Sequence, residues 1–461
     1  MVATARKYGA IAFAMLVVIG LAVPGASADT LEDALAFTYE TNPDIAAARA
    51  QLRSTDEEVP QALSNWRPNV EINGSYGFRK RQRDFDTGVQ IENTDQPQTI
   101  SLDVSQNLFR GFRTVSATDR ARNLVAAGRA NLITREQTVL LQGVKAYMNV
   151  LRDRAILDLR RNNVRVLRRR QQATRDRFDV GELTRTDVAQ ADSRLATGVA
   201  DETRAEGTLN SSIADYVEVV GTEPGTLEAP ALPQGLPISV EEAVELARTK
   251  NPDVVAADFT ERAARDFIEV NSGQLLPVLT LNGKLQENRD IFGADTDTSE
   301  QSVILNLKVP LYQSGEVYSR TRKAKQVANQ RMLEFAESSR QAQETARTSW
   351  ADLNSVRALI TSLQASVAAQ EIAYEGVQQE AQVGSRTVLD VLDAEQELLD
   401  ARVSLVEAQR DLIVAGYQLL SSTGRLTALD LGLPVQRYNA VRNYEEVEDK
   451  IFGTDILDEK R

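Results

Sequence analysis

The 461-residue chain has no cysteine and no histidine, and only 5% of its residues are aromatic. Without cysteine there are no disulfides, no thiolate nucleophile and no lipid-modified N-terminal cysteine. Without histidine the commonest general base, the commonest metal ligand and every Ser–His or Cys–His pair are lost. Carboxylate-only catalysis stays open, but no Asp or Glu pair stands in a pocket-like context. We therefore expect no enzyme, no cofactor and no metal. Beyond residue 28 no apolar run reaches the length of a spanning helix, which argues against a helical membrane protein.

Arg6 and Lys7 precede the apolar run Ala10 to Val23, and Ala26-Ser27-Ala28 supplies small residues for a signal peptidase. Residues 1–28 read as a secretory leader. The alternative is an uncleaved membrane anchor, for which the run is short and ends in Pro24 and Gly25. The chain carries 66 acidic and 53 basic residues, a net charge of −13. The leader holds Arg6 and Lys7 and no acid, so its removal leaves the chain more acidic still, which argues against a nucleic-acid partner.

What the sequence does have is an internal repeat. Leu31-Glu-Asp-Ala-Leu followed by Asn42-Pro43-Asp44 returns as Val240-Glu-Glu-Ala-Val followed by Asn251-Pro252-Asp253. Pro68 returns as Pro277, Leu108-Phe109 as Leu311-Tyr312, and Gly221 as Gly424. The expected layout is a first repeat over 29–221, a Pro/Gly-rich linker over 222–237, a second repeat over 238–427, and a C-terminal segment with an acidic tail over 428–461. Each repeat reads as short helix, longer helix, strand pair, very long helix, tip, long helix.

The strand pairs fall at about 69–110 and 277–312. Val70, Ile72, Tyr76 and Phe78 alternate with Glu71, Asn73 and Ser75; after a polar loop, Ile100, Leu102 and Val104 alternate with Ser101, Asp103 and Ser105. The second pair alternates likewise through Leu279, Leu281 and Leu285, then Val303, Leu305, Leu307 and Val309. A half-buried sheet on helices has this period. So does a transmembrane barrel, but four strands cannot close one, so spanning requires several chains to pool strands.

From about Arg113 to Asp179 there is no proline, so a helix there would approach 100 Å, at about 1.5 Å per residue. The isolated Gly128 and Gly143 weaken a helix without forbidding it, and a break into two helices is the alternative. After the tips, Val391, Ala394, Leu398, Ala401 and Leu405 in one copy, and Val188, Ala191, Leu195 and Gly198 in the other, recur at intervals of three and four. These are coiled-coil seams with small residues at about every second position.

The tips themselves are Val180-Gly-Glu-Leu-Thr-Arg-Thr-Asp-Val188 and Val383-Gly-Ser-Arg-Thr-Val-Leu-Asp-Val-Leu-Asp393. Thr184 with Asp187, and Thr387 with Asp390, fit capping boxes, and for these two acids a cap and a functional role are both open. Asp393 lies further into its helix, where a cap explains it less well.

The twofold repeat, the Asn-Pro-Asp helix starts, the paired strands and the Val-Gly-x-x-Thr-x-x-Asp-Val tips together resemble the TolC-like family of outer membrane efflux and export ducts, over residues 30 to about 432. The resemblance implies an α plus transmembrane β fold: a homotrimeric outer membrane β-barrel with four strands per protomer, continued by a long periplasmic α-helical barrel with a mixed α/β equatorial region. It implies passive conduction of drugs or secreted proteins. Its partners would be outer membrane lipid, a periplasmic adaptor (membrane fusion) protein, and an inner membrane efflux pump or ABC exporter. The absence of Cys places the chain with the non-lipidated members. By the same resemblance Asp390 and Asp393 are the acidic rings of the pore gate, and Asp187 and Arg386 its ionic link. Gly181, Leu183, Thr184, Gly384, Ser385 and Thr387 are adaptor-facing. One departure is Ala381, where the family pattern often has a Tyr. The competing function is a soluble periplasmic coiled-coil adaptor or scaffold.

Overall fold

The computed structural model describes residues 30–291 and 295–456, so the expected leader and the last residues of the acidic tail lie outside the described residues. Two short helices open the chain, α1 (Leu31–Thr41) and α2 (Pro43–Asp56), then α3 (Glu58–Leu63). Next come β1 (Asn69–Tyr76), β2 (Arg79–Asp84), β3 (Gln90–Asp95) and β4 (Gln98–Arg110), then α4 (Arg113–Asp179) and α5 (Arg185–Val220). The second half runs α6 (Val240–Lys250), α7 (Pro252–Ser272), β5 (Val278–Arg289), β6 (Asp297–Lys308), α8 (Glu316–Gln382) and α9 (Val388–Ser422). A last short helix, α10 (Arg442–Val447), stands near the C-terminus.

Helix α4 is continuous over 67 residues, and α8 has the same length. Each extends about 100 Å at about 1.5 Å per residue. The break into two helices does not occur. Gly128 lies beside Leu52 and Thr55 of α2, and Gly143 beside Leu35 and Thr38 of α1, so a side chain at either site would press on a leucine methyl at 3.0–3.2 Å. Helix α4 packs along α5, α7 and α9, and α8 along α9, α7 and α6.

The Asn-Pro-Asp motifs have a specific structural task. Asn42 caps α2 by accepting the Asp44 N–H, while its Nδ2 donates to the Val219 carbonyl at the end of α5. Asn251 does the same for α7, accepting from Asp253 and donating 3.1 Å to the Ser422 carbonyl at the end of α9. One side chain starts a helix and satisfies an orphan carbonyl at the end of another.

The main core lies around the middle of α4. Val139, Leu140, Val144 and Tyr147 are sealed by Leu31 and Leu35 of α1, Tyr216 of α5, Tyr417 of α9 and Leu426. The segment between the halves is strapped onto this core: Tyr147 Oη donates to the Glu228 carbonyl, and Arg154 donates to the carbonyls of Pro224 and Gly225.

The strands form an antiparallel sheet in the order β1-β4-β5-β6. Register places Val70, Val104, Gly283 and Val303 in one cross-strand row, and Ile72, Leu102, Leu285 and Gln301 in another. Glu71, Asp103, Lys284 and Ser302 form a row on the opposite face. The apolar face is bare: Ile72 is 74% exposed and Val303 78%. Within the described chain, β1 and β6 each have one unpaired edge.

The stretch read from sequence as a polar loop is instead a second hairpin, β2 with β3, continuing from β1 and β4 past Gly77 and Pro97. Its strands are polar on both faces, so alternation could not reveal them. What holds them is Asp95, 2% exposed, which receives Arg81 at 3.0 Å and Arg79 at 3.5 Å.

Replacing Asn251, which is buried, by Ala removes both of its hydrogen bonds and leaves the Ser422 carbonyl unpaired. The expected loss is about 1–3 kcal/mol, measured as a lower urea midpoint of the helical circular dichroism signal. Asn42→Ala, at a more exposed site, is expected to cost less.

Candidate pore gate at the hairpin tips

Both long hairpins turn in the same way. At the first tip the Gly181 N–H donates to the Phe178 carbonyl and the Glu182 N–H to Arg177; at the second, Gly384 donates to Ala381 and Ser385 to Glu380. These are Schellman closures, with the glycine in the left-handed region at φ 82° in each tip. Gly181 and Gly384 are thus required by the turn itself. The return helices then start with capping boxes: Thr184 Oγ1 accepts the Asp187 N–H and Thr387 Oγ1 the Asp390 N–H, while each aspartate accepts its threonine's backbone N–H at 2.8 Å.

The cap reading therefore holds for Asp187 and Asp390. The Asp187 carboxyl is held below its ordinary value by the hydroxyl and backbone N–H of Thr184. Asp390 is lowered by the Thr387 backbone N–H, then by its hydroxyl and Arg386. Both stay ionised well into the acid range.

Within the protomer Asp187 and Arg386 do not meet. Arg386 Nε donates to Glu380 Oε2 at 2.9 Å, across its own turn, and this hydrogen bond raises the Arg386 pKa. Asp393 pairs with Arg194 of α5, joining the two hairpins. The other tip residues, Leu183, Ser385 and both threonines, lie at or near the surface, and Ser385 Oγ also donates to the Glu380 carbonyl.

A further cluster stands about two to three helical turns above the tips. Arg170 of α4 donates 2.7 Å to Glu395 of α9 and 2.6 Å to the hydroxyl of Tyr374 of α8. Glu395 is 8% exposed, and burial raises its carboxyl pKa against the pull of Arg170. Sequence reading missed Glu380, Arg194, Arg170 and Glu395. The one available signal was a charged residue, Glu395, beside an otherwise apolar or small seam; Glu380 became visible only once the turn was known to bring position six before Arg386 next to it. The small seam residues are explained directly, since a Cβ at Gly198 would fall 2.7 Å from Leu167 Cδ1.

A bare amphipathic sheet leading into two helical hairpins of this length defines the class of outer membrane channels. The solved outer membrane channel CmeC of Campylobacter jejuni has the same fold, with a TM-score of 0.78 at 15% identity over 91% of this chain and 89% of that one. Residues 38–221 and 243–425 match the family described as "Outer membrane efflux protein", and the chain belongs to that family. It is 34% identical to the outer membrane efflux protein BepC of Brucella suis biovar 1, over 93% of this chain and 92% of that one. To the outer membrane protein TolC of Vibrio cholerae it is 27% identical, over 88% and 92%. The protein is an outer membrane channel that extends into the periplasm, and the soluble adaptor reading falls away.

Because the folded-state pKa of Glu395 lies above its unfolded value, its contribution to stability is complete below about pH 4.5 and is lost as pH rises through the folded pKa. Glu395→Gln keeps the shape but does not titrate. Its unfolding midpoint is expected to gain on wild type as pH rises from 4.5 towards 7. A difference between the two proteins that stays flat over this range contradicts the assignment.

Proposed function

We propose that three copies pool their four-stranded sheets into one closed barrel across the outer membrane, and that the hairpins continue it as a tube whose tips form a gated mouth. The observation that carries this reading is the sheet itself. Its apolar face is bare, its edges at β1 and β6 are unpaired, and its strands lead directly into 67-residue helices. Open edges are not tolerated in hydrocarbon, so other copies must complete the sheet. In this reading the halves 29–221 and 238–427 are two copies of one unit, joined by the strap 222–237 and braced by 428–461, and each supplies one hairpin to the tube.

At the mouth, Asp390 and Asp393 of three protomers stand one turn apart around one axis, attracting cations and disfavouring large anions. Arg386 is the basic member of the latch. Its partner in the isolated protomer is Glu380; in the closed ring Asp187 of an adjacent hairpin shares it. Such exposed pairs are individually worth about 0–1 kcal/mol, yet three copies bias a gate whose states differ by a few kcal/mol. An adaptor seated in the grooves beside Gly181, Leu183, Thr184, Gly384, Ser385 and Thr387 separates the latch and opens the tips like an iris. An inner membrane pump or exporter then delivers cargo into a duct that does no chemistry.

The assembly is tested by mass in detergent after membrane fractionation: a trimer is expected from the outer membrane, and a monomer defeats the reading. For the gate, Arg386→Ala is expected to raise the closed-state conductance of the reconstituted channel. Asp187→Asn should reproduce the rise if the latch runs between hairpins, and Glu380→Gln if it is local; no change in any of the three removes the latch. Separately, Asp390→Asn combined with Asp393→Asn is expected to weaken block by divalent or polyvalent cations, and unaltered block places these acids off the pore.

A further inference from the structure

The C-terminal segment carries a feature that conduction and gating do not use. From α10 onwards the chain is held against the body by polar contacts: Asn443 within α10 donates to the buried Asp56 at 2.8 Å, and Arg122 of α4 donates to Glu448, just past α10, at 3.1 Å. The Tyr444 ring lies under the Arg129 guanidinium, 5.0 Å from its carbon. Arg122 is about 13 Å along α4 from its start, at about 1.5 Å per residue. Two residues after Glu448, the Lys450 carbonyl accepts a hydrogen bond from Arg67 at 2.9 Å, and Arg67 stands two residues before β1. The segment therefore climbs from the upper part of α4 to the base of the sheet.

There it forms a small closed loop. Lys450 Nζ donates to the Asp455 carbonyl at 2.6 Å, and Gly453 turns the chain at φ 100° with the Lys450 stem beside it. One backbone carbonyl of the loop is taken up by Lys450, and its apolar residues stand outside: Phe452 is 89% exposed, Ile451 66% and Ile456 91%. Three exposed apolar side chains within six residues of an otherwise acidic segment are a poor arrangement in water. The same level of the molecule presents Trp66, Phe112 and Tyr312, exposed at the strand bases. Exposed aromatic residues at the ends of spanning strands sit at the membrane–water interface.

We propose that the loop 450–456 is a membrane anchor, inserting Ile451, Phe452 and Ile456 into the periplasm-facing leaflet beside the barrel. The occupant is lipid, because the loop is tied by Arg67 to the foot of the strands that the outer membrane encloses. Of the acidic neighbours, Glu448 pairs with Arg122 and Glu446 with Arg442 at 3.4 Å, while the carboxylates of Asp449 and Asp455 would have to stay at the headgroup level with only Ile451, Phe452 and Ile456 entering the leaflet. In a chain without cysteine, which has no thioether-linked acyl chain, the loop supplies a lipid contact built from side chains.

The native absence of cysteine makes the test clean. Phe452→Cys and, separately, Ile451→Cys are spin-labelled in the full-length protein reconstituted into phosphatidylethanolamine/phosphatidylglycerol vesicles. Collision rates are then read with oxygen, which partitions into lipid, and with a water-soluble nickel chelate. Ile238→Cys, 89% exposed before α6, is the aqueous control, and Ile100→Cys, on the apolar face of β4, reports the sheet. The expected result is an oxygen-to-nickel ratio at 451 and 452 several-fold above that at 238 and approaching that at 100. A ratio equal to the control overturns the proposal, and so does low access to both reagents, which would make the loop a subunit contact. A lipid signature at 100 with an aqueous one at 452 defeats the anchor alone; an aqueous signature at both defeats the membrane placement of the sheet on which it rests.

Discussion

A strand edge inside a bilayer has no water to bond to, and each unpaired N–H or C=O there costs several kcal/mol, on the order of a lost hydrogen bond without compensation. This constraint organises the whole chain. In the proposed barrel it has the edges of β1 and β6 paired by other copies, and the apolar rows through Val70 and Ile72 facing outwards. The helices that leave the strands would then form a ring of rods without a thick interior. The seams within the chain suit such close approach, being lined with Ala and Gly: Ala191 and Gly198 are buried on α5, and a Cβ at Gly198 would fall against Leu167 of α4. The main core, around Tyr147, Tyr216 and Leu426, is placed at mid-height, where α1, the strap and the C-terminal segment clasp the rods.

Much of this was legible in the sequence because it is periodic. Strand alternation, seam spacing and the absence of proline across 113–179 each report a regular element, and the long helix follows from them. The misses have physical causes. The β2–β3 hairpin is stabilised by Arg79 and Arg81 on a buried Asp95, a charge arrangement with no periodic trace. Gly128 and Gly143 read only as weak points in the helix because the residues they pack against, Leu52 and Leu35, are distant in the sequence.

The tips show the same division. Thr184–Asp187 and Thr387–Asp390 are local, and the capping boxes were readable as such. The engagement of Arg386 by Glu380, and of Asp393 by Arg194, depends on how a turn and two hairpins lie in space, so resemblance alone suggested different neighbours. The cap reading and the gate reading are also compatible. The bonds from its own helix start favour the ionised form of Asp390, so the local contacts that fix it also lower its carboxyl pKa.

Each tip is closed by two backbone hydrogen bonds on one side and a reciprocal side-chain box on the other. A turn locked in this way bends very little, so in the proposed gate any displacement at the mouth would originate further up. Between the mid-height packing at Ala346 and the turn at Val383 the rod is about 55 Å long, at about 1.5 Å per residue. A tilt of about 10° at that height carries the end sideways by roughly 10 Å, with every residue of the tip keeping its own bonds. In the proposed gate the hairpin would thus act as a lever, the stiffness of its smallest turn turning a slight rearrangement at the fulcrum into a wide aperture at the far end.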